Sequence, residues 1–185
     1  MHTYQELDSF EYWSITDKDQ FSISVLKGLI MDAVRKANSG HPGGAMSSAD
    51  FIYLLFKDYL KFDPKDPNWF DRDRFILSGG HMSMLQYGIL HLVGWMKLSE
   101  IKKFRQLGSH TPGHPEVEIP GVECTTGPLG QGFAMGVGMA LAEAYLSSLV
   151  INDDKEQKKL IDHFTYVLAT DGDLQEPVAL GAAAI

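Results

Sequence analysis

The stretch Thr165-Tyr-Val-Leu-Ala-Thr-Asp-Gly-Asp-Leu-Gln-Glu176 decides the fold that we predict for this chain. Residues 166–169 are apolar without alternation and partly aromatic or β-branched, which favours a short strand buried on both faces. The run ends at Asp171-Gly172-Asp173, and helix-forming residues follow. In an open parallel sheet, ligands bind outside the carboxyl ends of the strands. A carboxylate there can hold a hard cation and a glycine lets a phosphate approach the backbone; the alternative is an acidic turn without a ligand.

Composition limits the classes of function. The chain has 185 residues, which is enough for one domain with a substantial core. A formal net charge of −8 argues against a large nucleic-acid surface, and it means that an anionic substrate needs a local positive site or a metal. Cys124 is the only cysteine, so an intrachain disulfide is excluded and a reducing compartment is favoured.

The two ends of the chain bear on its location and its completeness. The first residues lack the basic and apolar regions of a signal peptide. No apolar stretch is expected to span a membrane, because residues 51–56 form too short a run and Glu143 interrupts the later one. We therefore expect a soluble cytoplasmic protein. The chain ends at Ile185 inside a helix that has just begun, which predicts a fragment or a domain completed by a partner chain.

The order of predicted elements gives the fold class. Residues 1–16 are an aromatic-rich arm, and residues 17–185 are an incomplete domain. Helices are predicted from Thr16 to Asn38, from 49 to 60 with Ser47 or Ser48 as cap, and over 82–93, 99–107 and 129–150. Buried strands are predicted at 74–78 and 166–169, and a long loop at 108–127. Strands separated by helices indicate an α/β architecture with a largely parallel sheet flanked by helices.

Three histidines stand in turns rich in glycine or proline: His41, His81 and His114. Imidazoles in stiff turns suit proton transfer and hydrogen bonding to hydroxylated or phosphorylated substrates. A zinc site is the competing interpretation, and it is weak because the spacing has no i,i+4 pair and no cysteine partner. The remaining histidines lack this context: His2, His91 and His163 are predicted to be structural, and His110 stays open.

A second glycine-rich stretch, Thr125-Thr-Gly-Pro-Leu-Gly-Gln-Gly132, opens the predicted helix 129–150. Free N–H groups and the positive end of the helix dipole can receive a phosphate there. The glycine spacing is not that of a dinucleotide fingerprint, and no Gly-Lys-Ser/Thr follows as in a Walker loop. Together with Asp171-Gly172, this stretch predicts a diphosphate held by a metal and backbone amides.

Several motifs, in one order, resemble the amino-terminal domain of the transketolase family. They are Ala37-Asn-Ser-Gly-His-Pro-Gly43, Asp71-Arg-Asp-Arg-Phe-Ile-Leu-Ser-Gly-Gly-His81, Phe104-Arg-Gln-Leu-Gly-Ser-His-Thr-Pro-Gly-His-Pro-Glu116 and Gly121-Val-Glu-Cys-Thr-Thr-Gly-Pro-Leu-Gly-Gln-Gly132. Asp171-Gly172-Asp173-Leu-Gln-Glu176 resembles the thiamine diphosphate motif of that family. The resemblance extends from about residue 20 to the end of the chain.

This resemblance implies a thiamine-diphosphate-binding fold, truncated at its C-terminus, in an enzyme that transfers a two-carbon ketol unit between sugar phosphates. Position by position, Asp171 would bind Mg²⁺, the backbones of Gly172 and Gly127 would contact the diphosphate, and Leu129 would lie against the cofactor rings. The three turn histidines would line the substrate channel as catalytic residues, with His81 also contacting the cofactor. Glu176 would take part in a contact between subunits.

The chain also departs from the family pattern. Thr170 and Pro177 stand where the family has glycines, so Thr170 either stiffens the turn or crowds the diphosphate. The second metal ligand and the aminopyrimidine-binding domain are expected beyond Ile185. Activity would then require that domain in the same or a partner chain, as a homodimer or a split-subunit heteromer, with no nucleic acid or membrane partner. The alternatives are a non-catalytic remnant, dihydroxyacetone synthase and 1-deoxyxylulose-5-phosphate synthase.

Overall fold

The computed structural model describes residues 4–150 and 160–185, so His2 lies outside the described residues. Two strands form its sheet: β1 (Arg74–Leu77) and β2 (Thr165–Leu168). The α-helices are α1 (Ile15–Ala37), α2 (Pro42–Ser47), α3 (Ala49–Leu54), α4 (Ser83–Val93), α5 (Leu98–Ile101), α6 (Gln131–Leu149), α7 (Asp171–Gln175) and α8 (Pro177–Ala183). A 3-10 helix at Tyr4–Tyr12 precedes α1, and another at Gly80–Met82 leads into α4.

The two strands pair in parallel, which confirms the predicted sheet type. Leu77 of β1 lies opposite Leu168 of β2 at the carboxyl ends of the strands. Phe75, Ile76 and Leu77 are buried, as a continuous apolar run requires. The side chains of β2 are only half-buried, so its predicted burial on both faces was wrong. Within the described residues β2 pairs only with β1, which leaves its other edge uncovered.

The core lies where α1 and α4 pack together with α2, α3 and the sheet. Leu26 and Ile30 of α1 are fully buried, and so are Leu85 and Tyr87 of α4. α4 is apolar almost all round, which is the pattern of a helix surrounded by other elements. This central helix carries the residues that support the candidate site.

The first helix begins at Ile15, one residue earlier than predicted, and its cap is a residue that the prediction missed. The hydroxyl of Ser14 accepts the N–H of Asp17 at 3.1 Å, which makes Ser14 the N-cap. The predicted end is confirmed, because Asn38 adopts a left-handed conformation with φ 49° and closes the helix. The N-terminal arm packs on this helix through the rings of Phe10, Trp13 and Phe21. The division into an arm and a domain stays a prediction.

The second predicted helix is interrupted and starts earlier. Pro42 occupies the first turn of α2, where its missing N–H costs nothing. The helix breaks at Ser48, and neither Ser47 nor Ser48 caps a helix with its side chain. α3 then continues into a π-helical turn over Leu55–Tyr59.

The predicted helix at 99–107 is reduced to the short α5. Arg105 has a left-handed backbone with φ 59°, which ends any helical path. Its N–H donates to the carbonyl of Thr111 at 2.9 Å and turns the chain back on itself. The residues that follow form the predicted long loop, whose Ile119 and Val122 are buried in the core.

α6 is the one helix among the described residues that is long and apolar enough, by length and composition, to cross a membrane. The expectation that no stretch reaches this length was therefore wrong. Gly132 and Gly136 of α6 are buried, whereas Leu141, Tyr145 and Leu149 are exposed. The helix contacts both strands and α8, so its glycine-bearing side faces protein.

Candidate functional site

The carboxyl ends of both strands open onto the same edge of the sheet, as parallel strands require. After β1 the chain continues as Ser78-Gly79-Gly80-His81, and after β2 it continues as Thr170-Asp171-Gly172. The two turns are in contact, because a Cβ placed on Gly79 would lie 2.7 Å from Cγ2 of Thr170. The chemistry-bearing turns that the sequence predicted are therefore neighbours.

The glycine-rich turn at 125–130 docks onto this edge. The hydroxyl of Thr126 donates to the carbonyl of Leu77 at 2.8 Å, at the end of β1. A Cβ on Gly80 would come within 2.9 Å of the backbone nitrogen of Gly127, so only glycine permits this approach. The N–H of Gly130 donates to Oδ1 of Asp173 at 2.8 Å. The predicted diphosphate turn and the Asp171-Gly172 turn therefore lie side by side.

The start of α6 is not the open phosphate site that the sequence predicted. The N–H groups of Gly130, Gln131 and Phe133 already have acceptors within the protein. Gly130 donates to Asp173, and Phe133 donates to the hydroxyl of Ser78 at 3.0 Å. Gly132 is buried against the backbone of Ser78. The helix therefore anchors the glycine-rich turn to the sheet.

The polar groups that remain free to bind a ligand lie next to these contacts between α6 and the sheet. Within residues 4–150 and 160–185, the amides of Gly127 and Gly172 have no hydrogen-bond acceptor. Asp171 is exposed, and no side chain of the described part pairs with it. A Cβ on Gly172 would lie 3.4 Å from Cδ1 of Leu129, so that apolar side chain borders the same space. Free amides, a free carboxylate and an apolar wall fit a diphosphate with a cation and a ring system.

The described residues offer little else for a metal. They contain no group of three or more histidine, cysteine or acidic side chains placed to hold an ion. The zinc interpretation of the histidines accordingly gains no support. Mg²⁺ usually takes one or two carboxylates and completes its shell with phosphate oxygens and waters, so Asp171 alone is compatible with it.

The three turn histidines converge on this edge. The rings of His41 and His81 lie with their centroids 5.2 Å apart and inclined at 75°. A Cβ placed on Gly127 would lie 3.3 Å from Cδ2 of His114, so this imidazole covers the glycine-rich turn. The structure brings these residues together, and their catalytic role stays a prediction.

Burial and mutual charge lower the pKa of these imidazoles. Partial burial lowers the pKa of His81, the charge of His41 lowers it further, and Asp173 acts weakly in the opposite direction. Burial also lowers the pKa of His114, with further contributions from the charges of Arg105, His41 and His81. Both imidazoles are therefore biased towards the neutral form, which can donate from one nitrogen and accept at the other.

Helix α4 positions the His114 turn from beneath. The buried hydroxyl of Tyr87 lies 2.9 Å from the carbonyl of Pro112 and 3.1 Å from that of His114. The hydroxyl of Ser83 donates to the carbonyl of Gly113 at 2.9 Å. Burial raises the pKa of the Tyr87 phenol, so it remains a donor at every ordinary pH. No local sequence signal marked these two residues as part of the site.

Arg105 is a third residue of the site that the sequence pattern did not mark. Its guanidinium donates to the hydroxyl of Ser39 at 2.9 Å and lies against the Cα of Gly113. It thereby connects the turns that carry His41 and His114. Together with both turns it lines an open cavity of about 660 Å³. Its left-handed backbone marks a constrained position. An arginine in the sequence does not by itself predict that conformation.

The other predicted residues lie as follows. Nδ1 of His91 is 2.8 Å from the carbonyl of Met96 at the end of α4, which fits the predicted structural role. Nδ1 of His163 is buried without a hydrogen-bond partner in the described residues. His110 is exposed in the long loop. Glu176 lies between α7 and α8 with its Cβ against Gly130, and its predicted subunit contact stays a prediction.

Comparison with known proteins decides the family. The family model described as "Transketolase, thiamine diphosphate binding domain" matches residues 18–185. The chain belongs to the transketolase family. Its α/β fold is that of the thiamine-diphosphate-binding domain, as predicted. The resemblance noted in the sequence is thereby confirmed.

Individual transketolases support this assignment. Transketolase of Staphylococcus epidermidis is 53% identical over 168 residues, covering 90% of this chain and 25% of that protein. Transketolase 2 of Escherichia coli is 55% identical over 158 residues, covering 84% of this chain and 23% of that protein. The transketolase of Pichia stipitis crystallised with sedoheptulose-7-phosphate superposes with a TM-score of 0.84 and 47% identity, over 90% of this chain and 24% of that one. The chain thus spans about a quarter of the length of the relatives it matches.

Proposed function

We propose that this transketolase domain binds thiamine diphosphate together with Mg²⁺ and serves an enzyme that transfers a two-carbon ketol unit between sugar phosphates. The observation that carries the proposal is the contact between the glycine-rich turn and the Asp171-Gly172 turn, through Gly130 and Asp173. It leaves the amides of Gly127 and Gly172 and the carboxylate of Asp171 open at one edge of the sheet.

Each residue has a chemical task in this proposal. Asp171 binds the cation, which offsets the charge of the diphosphate in a chain whose net charge is −8. The backbones of Gly127 and Gly172 donate to diphosphate oxygens, and Leu129 excludes water beside the cofactor rings. Thiamine diphosphate supplies the carbanion chemistry when it is bound.

The histidines act on the sugar. Because burial and mutual charge bias His81 and His114 towards neutrality, each can accept a proton from a substrate hydroxyl or hold that hydroxyl in place. His41, whose ring lies beside that of His81, adds a third and more exposed imidazole to the site. Partner domains contributed by the same or another chain complete the enzyme in this proposal, as a homodimer or a heteromer, and Glu176 contributes to the contact between subunits.

Calorimetry with thiamine diphosphate and Mg²⁺ tests cofactor binding. We expect the natural protein to bind, and Asp171→Ala to abolish the Mg²⁺-dependent part of the affinity. Asp32→Ala is the matched control, because Asp32 is an exposed carboxylate on α1 far from the strand ends. If Asp171→Ala binds as tightly as the natural protein, the metal assignment is wrong.

A product assay tests the reaction. Xylulose 5-phosphate with ribose 5-phosphate should give ketol transfer in the assembled enzyme. Turnover only with formaldehyde as acceptor would indicate a dihydroxyacetone synthase. Turnover only with pyruvate and glyceraldehyde 3-phosphate would indicate a 1-deoxyxylulose-5-phosphate synthase. Binding without any turnover in the complete assembly would indicate a non-catalytic subunit.

A further inference from the structure

Asp173 is a fully buried carboxylate at the point where three segments of the chain meet. Its Oδ1 accepts the N–H of Gly130 at 2.8 Å. Its Oδ2 accepts the N–H of Thr170 at 2.8 Å and the hydroxyl of Thr170 at 2.9 Å. The turn that follows Ser78 lies beside this carboxylate, because a Cβ placed on Gly79 would be 3.5 Å from Oδ2 of Asp173. One side chain therefore joins the glycine-rich turn to the ends of both strands.

Each of these segments leads directly into a residue of the candidate site. Gly130 ends the turn that carries Gly127 and Leu129, Thr170 precedes Asp171, and Ser78 precedes the His81 turn. If Asp173 were removed, Gly130 and Thr170 would lose their common acceptor, and the turn after β1 would lose the carboxylate packed beside it. A buried N–H group without an acceptor costs free energy. The turns would therefore move apart until these N–H groups could bind water.

Thr170 completes this arrangement. Its hydroxyl donates to Asp173 and accepts the N–H of Asp173 at 3.2 Å, which forms a reciprocal cap at the start of α7. Its methyl group contacts Gly79. The side chain at the position where the family has glycine is thus directed towards Asp173 and β1, and it stiffens the turn.

Asp173 is held by hydrogen bonds from the protein itself, donated by the N–H groups of Gly130 and Thr170 and by the hydroxyl of Thr170. Hydrogen bonds to a carboxylate are roughly twice as strong as neutral ones, which suits a group that fixes backbone turns. No lysine or arginine forms an ion pair with it in the part of the chain that the structure describes.

We propose that Asp173, with Thr170, is a positioning residue of the cofactor site that holds the three turns in their binding arrangement before the cofactor arrives. The inference rests on the proposed function, because the ligand it serves is thiamine diphosphate with Mg²⁺. Preorganised groups lose less conformational entropy on binding, so the arrangement acts on affinity.

Asp73 provides a matched control at the opposite ends of the same strands. It is also a buried carboxylate, and it accepts two backbone N–H groups, from Lys61 and Phe164, each at 2.7 Å. It joins the chain segments that enter β1 and β2, far from the turns that would meet the cofactor. A purely structural role for Asp173 therefore predicts the same behaviour from both aspartates.

The experiment compares Asp173→Asn with Asp73→Asn in the natural protein, by thermal unfolding without cofactor and by calorimetry with thiamine diphosphate and Mg²⁺. Both variants should lower Tm. Asp173→Asn should raise the Kd for the cofactor about tenfold, as loss of a group supporting a ligand site typically does, whereas Asp73→Asn should leave Kd unchanged. Equal effects on Kd, or none from Asp173→Asn, would overturn the inference. Failure of the unsubstituted protein to bind would instead overturn the proposed function.

Variants of Thr170 test the positioning role if Asp173→Asn does not fold. Thr170→Val keeps the shape and the methyl contact but removes the hydroxyl, and it should raise Kd about threefold, which is within the usual cost of a lost helix cap. Thr170→Ser keeps the hydroxyl and should restore the natural Kd. Identical affinity in both variants would contradict a positioning role.

Discussion

The imidazole rings of His41 and His81 lie 5.2 Å apart, centroid to centroid, although 39 residues separate them in the chain. The two rings are inclined at 75°, so the edge of one faces the other. At this distance the proton charge of one ring opposes protonation of its neighbour. The pair therefore gives the site a measurable electrostatic coupling.

We expect His41→Gln to raise the pKa of His81, because the charge of His41 is one of the causes that hold that pKa low. The shift should be partial, since burial is the larger cause and remains in the variant. NMR titration of the ring protons measures it. His91→Gln is the control, because His91 bonds to Met96 at the far end of α4. An unchanged or lower pKa of His81 in His41→Gln would contradict the coupling.

The same histidines make folding stability depend on pH. The folded-state pKa values of His81 and His114 lie below the ordinary value of 6.5, so the unfolded chain binds protons first as pH falls. Their contribution to stability is present above pH 6.5 and is lost as pH falls below 6.5 towards the folded values. Urea unfolding at several pH values should show a smaller loss in His114→Gln than in the natural protein. The same loss of stability in His114→Gln as in the natural protein would contradict a contribution from His114.

Tyr87→Phe tests how α4 supports the His114 turn. The substitution keeps the ring and removes the buried hydroxyl that contacts the carbonyls of Pro112 and His114. We expect the free energy of unfolding to fall by about 1–3 kcal/mol, and amide hydrogen exchange in the His114 turn to become faster. Tyr59→Phe is the control, because Tyr59 is 70% exposed. Unchanged exchange around His114 would show that the hydroxyl does not position this turn.

Two glycines of α6 give opposite predictions. A Cβ on Gly136 would overlap Cγ2 of Val167 in β2, whereas a Cβ on Gly138 would meet nothing within 4 Å. Gly136→Ala should therefore lower stability by about 1–3 kcal/mol through overpacking. Gly138→Ala should raise it by about 0.5–1 kcal/mol, since alanine favours a helix over glycine. Chemical denaturation measures both, and equal effects would mean that α6 does not lie this close to the sheet.

Local sequence patterns predicted the strands and the end of α1 well, because residues close together in the chain determine these features. The apolar run at β1 and the Asn-Ser-Gly sequence after α1 act over a few residues. The break at Ser48 and the shortening of α5 were not predicted. The shortening of α5 depends on the surrounding structure, because the turn at Arg105 is fixed by a hydrogen bond to Thr111 and by a guanidinium held between Ser39 and Gly113.

The membership of the family was already contained in the order and spacing of the motifs, and the residues expected to face the cofactor stay predictions. The role that we propose for Asp173 was not contained in the sequence, because its acceptor oxygens look like part of an acidic turn until Gly130, 43 residues away in sequence, is seen to donate to one of them. The same hydrogen bond showed that the N–H of Gly130, at the start of α6, already has an acceptor within the protein. Sequence spacing determines which chemical groups follow a strand, whereas only tertiary packing decides which of those groups are buried together and which remain free to meet a ligand.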